Sequence, residues 1–166
     1  MSDFAPYIDL LTGAFQRAHF EDLLAKAVSR CARDRKPLAL LRIDVDDLQE
    51  HNDLHGRAAL DQALSWLASK VSLALDGKGP IGRIDGDEFA VFLEGVPLSK
   101  AVELAEALRR LIPRTLHSSG FGDYRLTVSA GVAALKPGEP WGNLFDAAEA
   151  AMTRAKQGGR DLVASR

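Results

Sequence analysis

Two acidic clusters, each closing an apolar segment, constrain this chain more than any other feature. Leu38-Ala39-Leu40-Leu41-Arg42-Ile43 runs into Asp44-Val45-Asp46, and Ile81-Gly82-Arg83-Ile84 runs into Asp85-Gly86-Asp87-Glu88-Phe89. The first segment is nearly all apolar, as a strand buried on both faces would be. Acids placed where strands end can converge on a hard divalent cation, because Mg²⁺ takes oxygen ligands and shares its shell with substrate phosphates. Nucleotide chemistry is therefore the first expectation. The second cluster also has the form of a hairpin, with Asp85-Gly86 between Ile81–Ile84 and Phe89-Ala90-Val91-Phe92-Leu93. Two further carboxylates at the bend, Asp87 and Glu88, repel each other unless a cation or basic ligand offsets them. Turn chemistry alone does not account for them.

A chain of 166 residues that is 46% hydrophobic fits one folded unit with a proper core. Its formal charge of −2 lacks the basic excess that a nucleic-acid polymer would require, whereas a nucleotide monomer needs only a few placed cations. The single Cys31 excludes an intrachain disulfide framework and a cysteine-rich zinc site, and reads as a small apolar filler on a helix. The sequence has neither an apolar run of about eighteen residues nor the charged and apolar regions of a signal peptide, so the expectation is a cytoplasmic protein without a membrane partner.

Apolar spacing predicts a helix from Thr12 to about Arg35, stopped by Pro37, and then the Leu38–Ile43 strand. Asp46-Asp47 can cap a short helix reaching His51-Asn52, Gly56 breaks it, and Ala58 to about Leu75 forms the next helix. After the hairpin come a helix from about Ser99 to Ile112 closed by Pro113, a Ser/Gly loop at 117–122, a strand at Arg125–Ala134, a helix at Trp141–Gln157 and a short strand at Asp161–Ala164. The order β-α-α-β-β-α-β-α-β, with helices on one side of a mixed sheet, is an α+β layer architecture close to ferredoxin-like.

Five separated motifs agree in order and spacing with one family: Asp9-Leu10-Leu11-Thr12-Gly13; Ile43-Asp44-Val45-Asp46 with Asn52-Asp53; Gly56 with Asp61; Arg83 to Phe89; and Ala155-Lys156 with Gly159-Arg160. From Asp9 to Val163 the chain resembles the GGDEF family of diguanylate cyclases. The resemblance implies a nucleotidyl-cyclase-type palm with helices packed around a mixed central sheet, residues 1–8 as a short lead and 9–166 as a single GGDEF-like domain. It implies condensation of two GTP into cyclic di-GMP and two pyrophosphates at an active site shared by two chains, hence a transient or regulated homodimer in bacterial signalling, open to a regulatory protein partner. Asp44, the Val45 carbonyl and Asp87 are the implied ligands of Mg²⁺ or Mn²⁺. Asp87 and Glu88 are the implied catalytic acids; Glu88 orients ligands or assists proton removal, two roles the sequence does not separate. Asn52 and Asp61 resemble the guanine-reading pair, and Lys156 and Arg160 the phosphate-holding pair.

The chain departs from the family at several points. Asp85 stands where the signature has its first glycine, Gln49 where a phosphate-binding lysine is usual, Leu60 for a glycine and Arg57 for a histidine. Aspartate tolerates a φ > 0 turn, so the hairpin is expected to survive. Gln49 brings a hydrogen bond without the charge that would roughly double its strength. The Arg-x-x-Asp inhibitory site is absent, its place taken by Asp76-Gly77-Lys78-Gly79. These departures predict slowed turnover. The alternative they leave open is a degenerate domain that binds GTP or a protein partner without turnover.

Overall fold

The computed structural model describes residues 5–118 and 126–166, with the side chains of residues 6–112 and 126–166. A six-stranded sheet is ordered β1-β3-β4-β2-β5-β6. The strands are β1 (Phe15–Gln16), β2 (Leu38–Val45), β3 (Ile81–Arg83), β4 (Glu88–Glu94), β5 (Val128–Ala134) and β6 (Val163–Ser165). The helices are α1 (Arg17–Asp34), α2 (Leu48–His55), α3 (Arg57–Leu75), α4 (Leu98–Ser118) and α5 (Trp141–Gln157). β2 lies antiparallel between β4 and β5, while the outer pairs β1·β3 and β5·β6 are parallel. The sheet is mixed, as expected.

Alternation along β2 sorts the helices. Ala39, Leu41, Ile43 and Val45 join α3 and α4 in one core cluster, and Leu38 and Leu40 join α1 and α5 in another. Successive side chains of a strand leave by opposite faces, so the helices cover both faces and not one side. Each fully buried aliphatic side chain here contributes about 1.5–3 kcal/mol, and every residue of β2 is buried. The same alternation carries Arg42 and Asp44 onto the α5 face.

Several element boundaries differ from the sequence expectation, among them β5, which begins at Val128, and β6, which spans Val163–Ser165. Phe15-Gln16 is a two-residue strand that pairs in parallel with Gly82-Arg83, a tertiary pairing that helical periodicity conceals. α4 continues past Pro113 to Ser118; a proline inside a helix removes one N–H bond to the residue four before it, and does not always end the helix. Asp47 precedes α2 in a left-handed conformation (φ 53°) without a side-chain cap, and Asp46 bonds elsewhere. The 119–125 stretch, which includes most of the expected Ser/Gly loop and Arg125, lies outside the described residues.

Candidate active site

The register of β2 against β4 brings the two acidic clusters together. Asp44 stands opposite Glu88, and beyond them the Val45 N–H donates to the Asp87 carbonyl at 3.1 Å. Asp44 is 6% exposed, and its Oδ1 has the Lys156 ammonium at 2.6 Å without a well-aligned hydrogen bond. Burial pushes the Asp44 carboxyl up to about 6, opposed by Lys156 and reinforced by the charges of Asp87 and Glu88. A buried carboxylate disfavoured in this way gains from a cation.

The hairpin closes through Glu88 N–H to Asp85 O (3.3 Å) and Ile84 N–H to Glu88 O (2.8 Å). Asp85 is not among the described residues with positive φ, so its replacement of glycine stores no left-handed strain. Its Oδ1 accepts the Gly86 N–H at 2.7 Å and so stabilises the bend. Arg83 braces the turn from below, giving Nε and Nη2 to Gly86 O and Nη1 to Asp9 Oδ1 at 3.0 Å. Asp9 also accepts the Thr12 N–H and hydroxyl. Burial alone raises its pKa, but the Thr12 and Arg83 bonds outweigh that and hold it below the usual carboxylate range.

A pocket of about 210 Å³ lies between α2, α3 and the hairpin. It brings together Asn52, Asp61 and Gln49, and reaches Arg83 and Gly86. The Asn52 Oδ1 is buried without a hydrogen-bond partner among the described residues. Asp61 is paired with Arg57 at 3.2 Å, and Gln49 donates to Asp53 at 2.9 Å. Leu60 is both core and wall: it is 6% exposed in the α3 cluster and lines the pocket.

Lys156 and Arg160, expected together on phosphate, are each set against an acid, Lys156 on Asp44 and Arg160 on Asp47 at 3.1 Å. Asp46 belongs to a different network. Its carboxylate accepts from Thr127 Oγ1, Ser129 Oγ and the Asp161 N–H at 2.7, 2.7 and 3.0 Å, tying the chain after α5 to the sheet.

Arg42 joins the site although no sequence motif singles it out. It is 3% exposed, pairs with Glu88, reaches Glu149 on α5 at 3.1 Å and lies 4.2 Å from the Phe145 ring centroid. Burial pushes the Glu88 carboxyl up, and the Arg42 charge and bond only partly offset it. The signal was available: an arginine inside an apolar strand is almost never buried without a partner.

The implied cation suits these residues. The implied ligands Asp44, Asp87 and the Val45 carbonyl are hard oxygens of the kind Mg²⁺ takes, and Asp44 is buried with a poorly satisfied oxygen. Among the described residues no three of His, Cys, Asp and Glu gather as a side-chain-only metal site.

A family model described as "Diguanylate cyclase, GGDEF domain" matches residues 6–162, and the chain belongs to that family. It is 32% identical over 154 residues to "Probable diguanylate cyclase DgcC" of Escherichia coli K12, covering 92% of this chain and 41% of that relative. The chain thus spans about two-fifths of that relative's length. The fold matches the GGDEF domain of DgcB from Caulobacter crescentus, solved in complex with c-di-GMP, with a TM-score of 0.92 and 27% identity over 99% of this chain and 96% of that one. It also matches the diguanylate cyclase SiaD from Pseudomonas aeruginosa, solved with its activator SiaC: TM-score 0.89, 29% identity, 98% of this chain and 62% of that one. Among the described residues no helix is long and apolar enough to cross a membrane.

Proposed function

We propose that this domain condenses two GTP into cyclic di-GMP and two pyrophosphates, each of two facing chains holding one GTP. The observation that carries the reading is the β2–β4 register, which sets Asp44 opposite Glu88 and bonds Val45 to Asp87, next to the pocket lined by Asn52 and Asp61. Asp44, the Val45 carbonyl and Asp87 would hold Mg²⁺ or Mn²⁺, which when bound neutralises phosphate charge and lowers the pKa of an attacking hydroxyl. The residues of the chain do the rest. Asp61 accepts the N1 and exocyclic N2 protons of guanine, and the unpartnered Asn52 amide completes the edge. Lys156, which rests on Asp44, and Arg160, which rests on Asp47, would turn to phosphate oxygens of the bound triphosphate.

The 3′-hydroxyl of one GTP attacks the α-phosphorus of the other. A new O–P bond forms, the hydroxyl proton passes to solvent, the bond between the α-phosphorus and the bridging oxygen breaks, and pyrophosphate leaves; two such steps close the ring. Glu88, fixed by Arg42, stands beside Asp87 to orient the reacting groups. One chain cannot present both hydroxyl and facing phosphate, so a homodimer is required at turnover; a regulatory protein is also a fitting partner, since SiaD was solved in complex with its activator SiaC.

Incubation with GTP and Mg²⁺, with chromatographic detection of cyclic di-GMP and pyrophosphate, tests the reading. Product expected in a two-to-one ratio of pyrophosphate to cyclic di-GMP supports it. GTP binding by calorimetry with no product would instead assign a nucleotide-binding module without turnover.

A further inference from the structure

A second cavity, about 490 Å³, opens at the other end of the sheet, between the end of α1 and the segment after β5. That volume lies within the roughly 300–1,000 Å³ of small-molecule sites. Pro37, which lines it, immediately precedes β2, and Asp44 lies near the far end of that strand. At about 3.3 Å per residue the separation is on the order of 20 Å, so an occupant would not overlap the acid clusters.

Apolar wall comes from Ala32, Pro37, Leu135 and Pro137, and charge from Arg35, Lys36 and Lys136. None of these three cations forms an ion pair among the described residues, whereas Arg30 and Arg33 on the same helix pair with Glu94 and Asp34. The one acid in the lining, Glu139, is already engaged by Arg166 at 2.7 Å and by the Lys136 N–H at 3.0 Å. The backbone that carries the two helix-end cations is fixed: Arg35 takes a left-handed φ of 52°, and the backbone N–H groups of Arg35 and Lys36 both bond the Cys31 carbonyl. Cations at the end of a helix also answer its dipole, but that account does not reach Lys136, which arrives from a different element.

We propose that this cavity binds a small organic anion, an apolar or aromatic body carrying one acidic group that Arg35, Lys36 and Lys136 hold from two sides. Nucleotide chemistry at the acid clusters is not required for it.

Fluorescence titration of the whole chain with 8-anilinonaphthalene-1-sulfonate, an anion of this class, tests the proposal. The expected result is saturable one-site enhancement, weakened at least tenfold in the combined variant Arg35→Glu, Lys36→Glu and Lys136→Glu, and unchanged in the control variant Lys70→Glu and Lys78→Glu. Ala32→Trp, which fills the cavity from an exposed position on α1 while leaving every cation in place, should produce the same loss and keeps the test open if the charge-reversed chain misfolds. Saturating GTP and inorganic phosphate should leave the dye bound. Binding that survives both the charge reversal and Ala32→Trp, or that is displaced by GTP or by phosphate, would overturn the assignment.

Discussion

Lys156 Nζ and Asp44 Oδ1 approach to 2.6 Å between α5 and the end of β2, so a cation assigned to phosphate rests on a carboxylate assigned to metal. The pair links the two halves of the candidate site. It also carries a consequence for Asp44→Ala. Lys156 is 35% exposed at its side chain, so its ammonium stays hydrated when the carboxylate is removed, and the fold should persist. Asp44→Ala and Asp87→Ala should each lower Mg²⁺-dependent GTP turnover at least a hundredfold with unchanged circular dichroism. Full activity in Asp87→Ala would remove it from the donor set.

Base choice should follow Asp61. GTP is expected to bind more than tenfold better than ATP, about 1.4 kcal/mol, and Asp61→Ala should erase most of the gap. Because Arg57 occupies the same carboxylate, Arg57→Ala should tighten GTP without affecting ATP. Equal calorimetric affinity for both nucleotides in the parent chain would discard the guanine pocket.

Gly131 on β5 lies directly against the backbone of α5. A Cβ there would collide with the Ala148 carbonyl and the Met152 backbone nitrogen, and backbone atoms cannot rotate away. Gly131→Ala should destabilise the chain by about 3 kcal/mol and displace α5, which carries Lys156. Urea denaturation measures the first effect, and an unchanged midpoint would show that α5 does not pack as closely as described.

Asp9 provides a pH dependence of stability. Its folded pKa lies below the usual aspartate value of 3.8, so the folded state binds the proton more weakly than the unfolded chain. The contribution is present in full above the unfolded pKa and is lost as pH falls through the folded one. Asp9→Asn should therefore cost about 1 kcal/mol at neutral pH, reduced by partial exposure, and flatten the stability curve below about pH 4. Thermal melts of parent and variant from pH 2.5 to 7 would reveal it; parallel curves would disprove it.

Turnover should depend on chain concentration. If hydroxyl and facing phosphate come from two chains, initial rate approaches second order in protein below the dimerisation constant, and specific activity rises with concentration. Constant specific activity over several decades, with a monomer verified by light scattering, would contradict the two-chain reaction.

Much of this was legible in the linear sequence because it is local. Apolar continuity marked β2, and spacing marked α3 and α5, the latter at the observed bounds Trp141–Gln157. The acids at strand ends and the motif spacing identified the family before any contact was known. Other features needed the third dimension because they are relations between distant segments. The Phe15–Gly82 pairing, the covering of both sheet faces, the removal of Asp46 to Thr127 and Ser129, and the binding of Glu88 by Arg42 all join residues far apart in the chain. Periodicity reports which face a residue occupies, not what stands opposite it. The sequence thus determined which groups are present and on which elements; tertiary packing decided their partners, because burial in a low-dielectric interior forces each charge to find an opposite charge or hydrogen-bond donors.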